Sequence, residues 1–239
     1  MGSALLNTVN TFGESFVNAS ELLGRYEFTE AEAAGTVRLL GLRSGETVVE
    51  AGCGPGRFAQ ALAAHGFPVI GVDISPEVIA IAERRHPGPD YRVMDMADLA
   101  PGSADALVNV YSSFGYCETA EEDTAVLRTW WRALRPGGRL LLELSDLERA
   151  QKRLGPGAGT VHRSTNGVQE EIRMDWEQQM LHVSYLLDGR RLDCRTRVYS
   201  RDQLLESLRT AGFTDVDCFG GFDGRAKSPD DRLVLVAHR

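Results

Sequence analysis

Thr47-Val48-Val49-Glu50-Ala51-Gly52-Cys53-Gly54-Pro55-Gly56-Arg57-Phe58 decides how this chain is read. Its first half is a short apolar run closing on a carboxylate, the pattern of a strand covered on both faces. Its second half is a glycine-rich turn, and a helix is expected to begin near Arg57. In an open α/β sheet, a strand–turn–helix of this kind lays a ligand against the backbone at the carboxyl end of the first strand. Glycines at alternate positions permit that approach, because no Cβ stands in the way.

Two nucleotide-type ligands compete for the turn. The dinucleotide fingerprint G-x-G-x-x-G, laid on Gly52 and Gly54, puts Arg57 where its third glycine allows tight helix–strand packing. An arginine fits badly there. What the chain has instead is G-x-G-x-G over Gly52, Gly54 and Gly56, with Glu50 two positions ahead. A second apolar run, Phe67-Pro68-Val69-Ile70-Gly71-Val72, closes on Asp73, about 20 residues after the turn, the distance at which an acid meets a ribose diol. One carboxylate can accept from both hydroxyls. Ser75-Pro76 then opens a helix, serine as N-cap and proline at the first helical position. A third strand, Tyr91-Arg92-Val93-Met94, carries Asp95-Met96 at its tip. A fourth, Ala106-Leu107-Val108-Asn109-Val110-Tyr111, runs into Ser112-Ser113-Phe114-Gly115-Tyr116. The fifth, residues 139–144, follows Arg135-Pro136-Gly137-Gly138.

Four such motifs in this order and spacing resemble the class I S-adenosylmethionine-dependent methyltransferases of small-molecule type, over residues 36–148 and again over 200–239. The resemblance implies an α/β fold: a seven-stranded, mostly parallel sheet with helices on both faces. It implies S-adenosylmethionine as cofactor, held by Tyr26, Glu50, Gly52, Gly54, Gly56, Asp73, Ile74, Asp95, Met96 and Asn109. In the family an acid at Asp95 accepts from the adenine amino group, the next residue covers the ring, and residues 109–111 flank the methionyl side. Arg25 and Tyr26 fall where such chains often fold over the methionyl end. Arg25 suits a carboxylate there, a solvated arginine being the plain alternative.

Composition narrows the partners. The 239 residues are 43% hydrophobic, enough for one α/β domain with a modest insertion. A net charge of −8, with basic residues scattered apart from Arg84-Arg85 and Arg190-Arg191, argues against nucleic acid. Cys53, Cys117, Cys194 and Cys218 show no metal-ligand spacing, so no metal is expected and a reducing compartment is. No apolar run approaches a membrane span and no signal-peptide pattern opens the chain. The expectation is a cytoplasmic protein away from membranes.

Four segments are expected: an N-terminal cap over residues 1–28, a cofactor-binding core over 29–150, an inserted antiparallel β lid over 151–199, and the rest of the core over 200–239. Thr29 with Glu32 and Thr119 with Glu122 read as capping boxes, as do Ser200 and Gln203 before a helix ended by Gly212. Within the insertion Val168, Ile172, Met174 and Trp176 share one face, and Leu181, Val183, Tyr185 and Leu187 lead into Asp188-Gly189, a two-residue hairpin signal. A lid over the acceptor is the expected role. A sheet that pairs two copies into a homodimer is the alternative, and the two are compatible.

Methyl transfer from a sulfonium asks mainly for binding, alignment and exclusion of water. Positioning alone supplies about 7–11 kcal/mol, so a base is optional. For an acceptor phenol or alcohol the candidates are the lid histidines His162 and His182, with Tyr111 as an orienting phenol; surface or packing roles are the plain readings of all three. His65 and His86 fall at helix C-termini, where a cation complements the dipole. The reading is a methyltransferase acting at N, O or C of a small molecule in secondary metabolism. Its rivals are an NAD-linked oxidoreductase and a non-catalytic S-adenosylmethionine-binding protein.

Overall fold

The structure, a computed structural model, describes residues 12–155, 157 and 159–239. The first eleven residues of the expected cap segment therefore lie outside the described residues. Strand β1 (Val48–Ala51) is buried at every position, as its apolar run demands. It pairs in parallel with β2 (Val69–Asp73) on one side and β4 (Ala104–Asn109) on the other. Beyond these lie β3 (Asp90–Val93) and β5 (Leu134–Leu144), then β11 (Leu233–His238) and β10 (Thr214–Phe219). The order is β10-β11-β5-β4-β1-β2-β3, with β11 antiparallel to both neighbours. The chain reverses its direction of travel across the sheet between β1 and β4. Their carboxyl ends therefore part into a crevice, the place where open α/β sheets bind ligands.

Both faces of the sheet are covered. Trp130 and Leu127 of α5 (Ala120–Ala133) pack with Leu208 of α7 (Arg201–Ala211) against Leu140, Leu142 and Leu235 on one side. Phe58 and Leu62 of α3 (Arg57–Ala64) pack with Ala33 and Leu40 of α2 (Thr29–Leu40) against Val48, Val108 and Leu141 on the other. Local signals start and stop most helices as expected. Ser75 Oγ accepts from Val78 N at the head of α4 (Pro76–Arg85). Thr119 with Glu122 and Ser200 with Gln203 form complete capping boxes, and Gly212 closes α7 in the left-handed conformation.

The expected box at Thr29 does not form. Thr29 is the first helical residue of α2, and its hydroxyl donates to the Tyr26 carbonyl at 2.9 Å. The Glu32 carboxylate, which would close the box, accepts from the Tyr111 hydroxyl at 2.6 Å instead. A long-range partner has outcompeted the local one.

After β5 comes α6 (Leu147–Leu154), then a second sheet of four antiparallel strands: β6 (Val161–Thr165), β7 (Val168–Asp175), β8 (Met180–Leu187) and β9 (Arg190–Arg197). Asp188 and Gly189 join β8 to β9 with φ of 51° and 74°, the two positive values that a tight hairpin turn requires. Its inner face packs Val168 and Tyr185 against Ala19 of α1 (Glu14–Leu22). Val17 of the same helix packs on Val78 and Ile81 of α4. Helix α1 is thus wedged between the second sheet and the core. Among the described residues no helix is long and apolar enough to cross a membrane, no acid, histidine or cysteine cluster suits a metal, and the four cysteines are free.

Candidate functional site

The glycine turn after β1 is held from two directions. Gly52 has φ of +73°, and a Cβ there would stand 2.8 Å from Ser113 Cβ, so the turn lies directly against the loop after β4. Asp73, at the end of β2, braces it from the other side. Its Oδ2 accepts from Gly54 N and its Oδ1 from Ser75 N, each at 3.0 Å. Each oxygen keeps a lone pair for a ligand hydroxyl. Burial pushes this carboxyl above its ordinary value, and the amide donors partly offset that.

Glu50, next to last in β1, has 1% of its surface exposed, and its Oε2 has no partner among the described residues. Burial pushes its carboxyl well up, with the Asp73 charge adding to the effect. Asp95 caps the 3₁₀ turn Met96–Asp98 by accepting from Ala97 N at 2.8 Å, and the Met96 carbonyl takes the Trp130 indole N–H at 3.0 Å. The tip of β3 is therefore anchored to a core helix.

These groups line one cleft with about 1120 Å³ of empty space, its mouth included. Gly52, Gly54, Asp73, Ile74, Asp95 and Met96 form its floor, and Glu50 lines its inner end. Phe12, Phe16, Ser20, Arg25 and Tyr26 roof it, while Tyr111, Ser113 and Tyr116 wall the side after β4. Unpartnered Glu50 Oε2, the lone pairs of Asp73 and the open space beside Gly54 suit a nucleoside with a polar tail.

Not every expected residue reaches this cleft. Asn109 does not line it; fully buried, it donates to the Ala51 carbonyl at 2.7 Å and ties β4 to β1 beneath the turn. Gly56 does not line it either, because Tyr91 packs on it with the phenol 3.0 Å from its carbonyl. His162 and His182 lie away from the cleft. In β8 the inner face carries Leu181, Val183 and Tyr185, so His182 points to the opposite face, between Arg173 and Arg195 on the neighbouring strands. Burial and those two cations lower its basicity. His162 is exposed and opposes Glu171. Strand alternation removes both as bases.

Tyr111 does line the cleft, in an unusual conformation. It and Ser112 have φ of 59° and 60°, held by the Tyr111 N–H donating to Glu143 Oε2 at 2.6 Å. Burial, and then the Glu32 carboxylate, push its phenol far above the ordinary value, so it donates rather than acting as a base.

Sequence reading missed the role of Arg57. Its guanidinium pairs with Glu21 of α1 and lies 4.8 Å over the Tyr26 ring, while Arg85 reaches the same carboxylate at 3.1 Å. Where a dinucleotide loop would have its third glycine, this chain has a cation that ties the roof to the turn. Phe12 and Phe16, spaced four apart, were the sequence signal for a helix face covering the site.

This sheet order, with its cleft at the switch point, defines the fold of the class I S-adenosylmethionine-dependent methyltransferases. A family model described as "Methyltransferase domain" matches residues 24–217, and the chain belongs to that family. A solved S-adenosylmethionine-dependent methyltransferase from Clostridium acetobutylicum superposes with a TM-score of 0.77 at 16% identity, covering 94% of this chain and 97% of that one. CalS10 from Micromonospora echinaspora, an amino pentose methyltransferase with S-adenosylmethionine bound, gives 0.70 at 22% identity over 93% and 96%. These likenesses speak to the fold. The ubiquinone biosynthesis O-methyltransferase of Xanthomonas oryzae pv. oryzae is 35% identical over 107 residues, 41% of this chain. The match spans 43% of that curated relative's length.

Proposed function

We propose that this methyltransferase moves the methyl group of S-adenosylmethionine to an N, O or C atom of a small molecule bound in the same cleft. The observation that carries the reading is Asp73, half-buried, bracing the glycine turn with both oxygens while facing the cleft. Asp73 would take the ribose hydroxyls, Asp95 the adenine amino group, and Met96 and Ile74 the ring faces. Gly52, Gly54 and Glu50 would hold the methionyl end under Tyr26. Asn109 and Gly56 would act from behind the turn. Bound, the cofactor supplies a methyl group on a good leaving group. The chain's part is alignment and dryness, which the apolar roof and the second sheet serve as a lid. Tyr111, its proton held by Glu32, would orient an acceptor by offering its phenol oxygen from a fixed position. The likeness in fold to CalS10, named for calicheamicin biosynthesis, supports a place in secondary metabolism.

Titration calorimetry separates this from nicotinamide chemistry. Heat is expected with S-adenosylmethionine and S-adenosylhomocysteine and none with NAD. Silence with the first two, or saturable binding of NAD, overturns the reading.

Glu50 gives a second check, with a definite sign. Its folded-state carboxyl is raised, so its contribution to stability is present below the ordinary value of 4.5 and is lost as pH rises through the raised one. Without cofactor, Glu50→Gln is therefore expected to stabilise the protein at pH 8 by about 1–3 kcal/mol, a few degrees of melting temperature. The difference should fade towards pH 5, while affinity for S-adenosylhomocysteine falls about tenfold. Equal melting curves at pH 8 would contradict the unpartnered carboxylate.

A further inference from the structure

Arg25 is a cation answered on one edge only, because both of its polar partners meet Nη2. It lies between α1 and α2, lines the cleft, and keeps 34% of its side-chain surface. Its Nη2 donates to the Tyr185 phenol at 2.6 Å, and Glu170 Oε1 stands 3.5 Å away. Its carbon centre sits 5.0 Å over the Tyr185 ring and 5.9 Å over the Phe16 ring. Ring faces stabilise a cation but accept none of its hydrogen bonds in the plane. Among the described residues, the rest of the guanidinium donates to nothing. That fork matches a carboxylate in bidentate fashion. Beside it, Phe12 stands edge-to-face with Phe16 at 4.8 Å and with Tyr116 at 5.4 Å, an aromatic wall on the same side of the cleft.

We propose that the acceptor is a flat, aromatic carboxylic acid, its ring on the Phe12–Tyr116 wall and its carboxylate on the free edge of Arg25. The inference rests on the methyltransferase reading and adds the class of substrate. The donor's own carboxylate is a poorer occupant. Among the described residues, the hydrogen-bond, ion-pair and ring contacts of Arg25 come from α1 and the second sheet, whereas Arg57 with Tyr26 is the cation at the glycine turn. Tyr185 and Glu170 hold the Nη2 edge of the guanidinium, and Arg25 lines the cleft, so the other edge is the one left for a ligand. Its phenol is pushed up to about 12, first by burial, so it stays neutral beside a bound acid.

The test uses the full chain saturated with S-adenosylhomocysteine, whose binding is measured first. Paired probes are then titrated: benzoate, 4-hydroxybenzoate, 3,4-dihydroxybenzoate and cinnamate, each against its primary amide. At least one carboxylate is expected to bind about 10- to 100-fold tighter than its amide, the span of a charge-assisted hydrogen bond. Arg25→Gln should bring that ratio close to one, and Arg25→Lys should restore part of it, with S-adenosylhomocysteine affinity changed less than about threefold in both. A general loosening of the lid would weaken acid and amide alike and leave the ratio intact. Binding of S-adenosylhomocysteine with no acid preferred over its amide overturns this proposal alone. So does an Arg25→Gln variant that loses S-adenosylhomocysteine itself, because the donor then occupies the cation. No binding of S-adenosylhomocysteine to the unaltered protein fails the reading beneath it.

Discussion

Asp73→Ala is expected to weaken S-adenosylhomocysteine binding about 100-fold or more, measured by calorimetry. Two losses combine. On the proposed reading the ribose diol would lose its acceptor, and the amides of Gly54 and Ser75 lose theirs, each now at 3.0 Å from the carboxylate. The second loss matters because the turn must stand still for the first to count. Asp73→Asn keeps one acceptor oxygen and should fall between the two. Binding should also weaken in acid, since the diol is held by the ionised form. Burial raises this carboxyl above 3.8, so affinity should decline on acidification before an ordinary aspartate would be protonated. Unchanged affinity in the alanine variant would remove the glycine turn from the cofactor's path.

Legibility in the sequence followed the range of the interactions. Asp188-Gly189, Ser75-Pro76 and Thr119 with Glu122 specify their turns and caps with neighbours alone, and the structure has all three. The order of acids and glycines from Glu50 to Asp95 was likewise readable, because each lies near or just past the carboxyl end of a strand. Thr29 and Glu32 carried the same local signal as Thr119 and Glu122, but a residue 79 positions away claims the carboxylate. His162 and His182 failed for a different reason. Strand alternation was visible, but which face met the cleft depended on where α1 docks. The roof was the least legible part. Arg25, Arg57 and Glu21 acquire their meaning only when α1 lies across the crevice, and nothing in their local spacing announces that.

Glu143→Ala is expected to lower stability by about 2–4 kcal/mol, or roughly 4–15 °C in melting temperature. Glu143, next to last in β5 with 1% exposure, pairs with Arg232 and accepts the Tyr111 N–H. Arg232 also donates to Ser112 Oγ at 2.8 Å, and that oxygen accepts from Ser145 N at 3.0 Å. This network holds two successive non-glycine residues in the left-handed region, a conformation costing about 1–2 kcal/mol each. Removing the carboxylate leaves a half-buried cation and a buried amide without their acceptor. The value reaches below the about 3–5 kcal/mol expected for a fully buried pair, because Arg232 keeps about a third of its surface in solvent. Glu143→Gln retains the acceptor for Tyr111 and should lose less. In the double variant Glu143→Ala with Arg232→Ala the lone charge is gone, so stability should recover in part while the Tyr111 backbone stays released. Because Tyr111 walls the cleft, S-adenosylhomocysteine affinity should remain depressed in that double variant even where its melting temperature has recovered. If stability and affinity return together, the network supports the fold alone and does not set the geometry of the site.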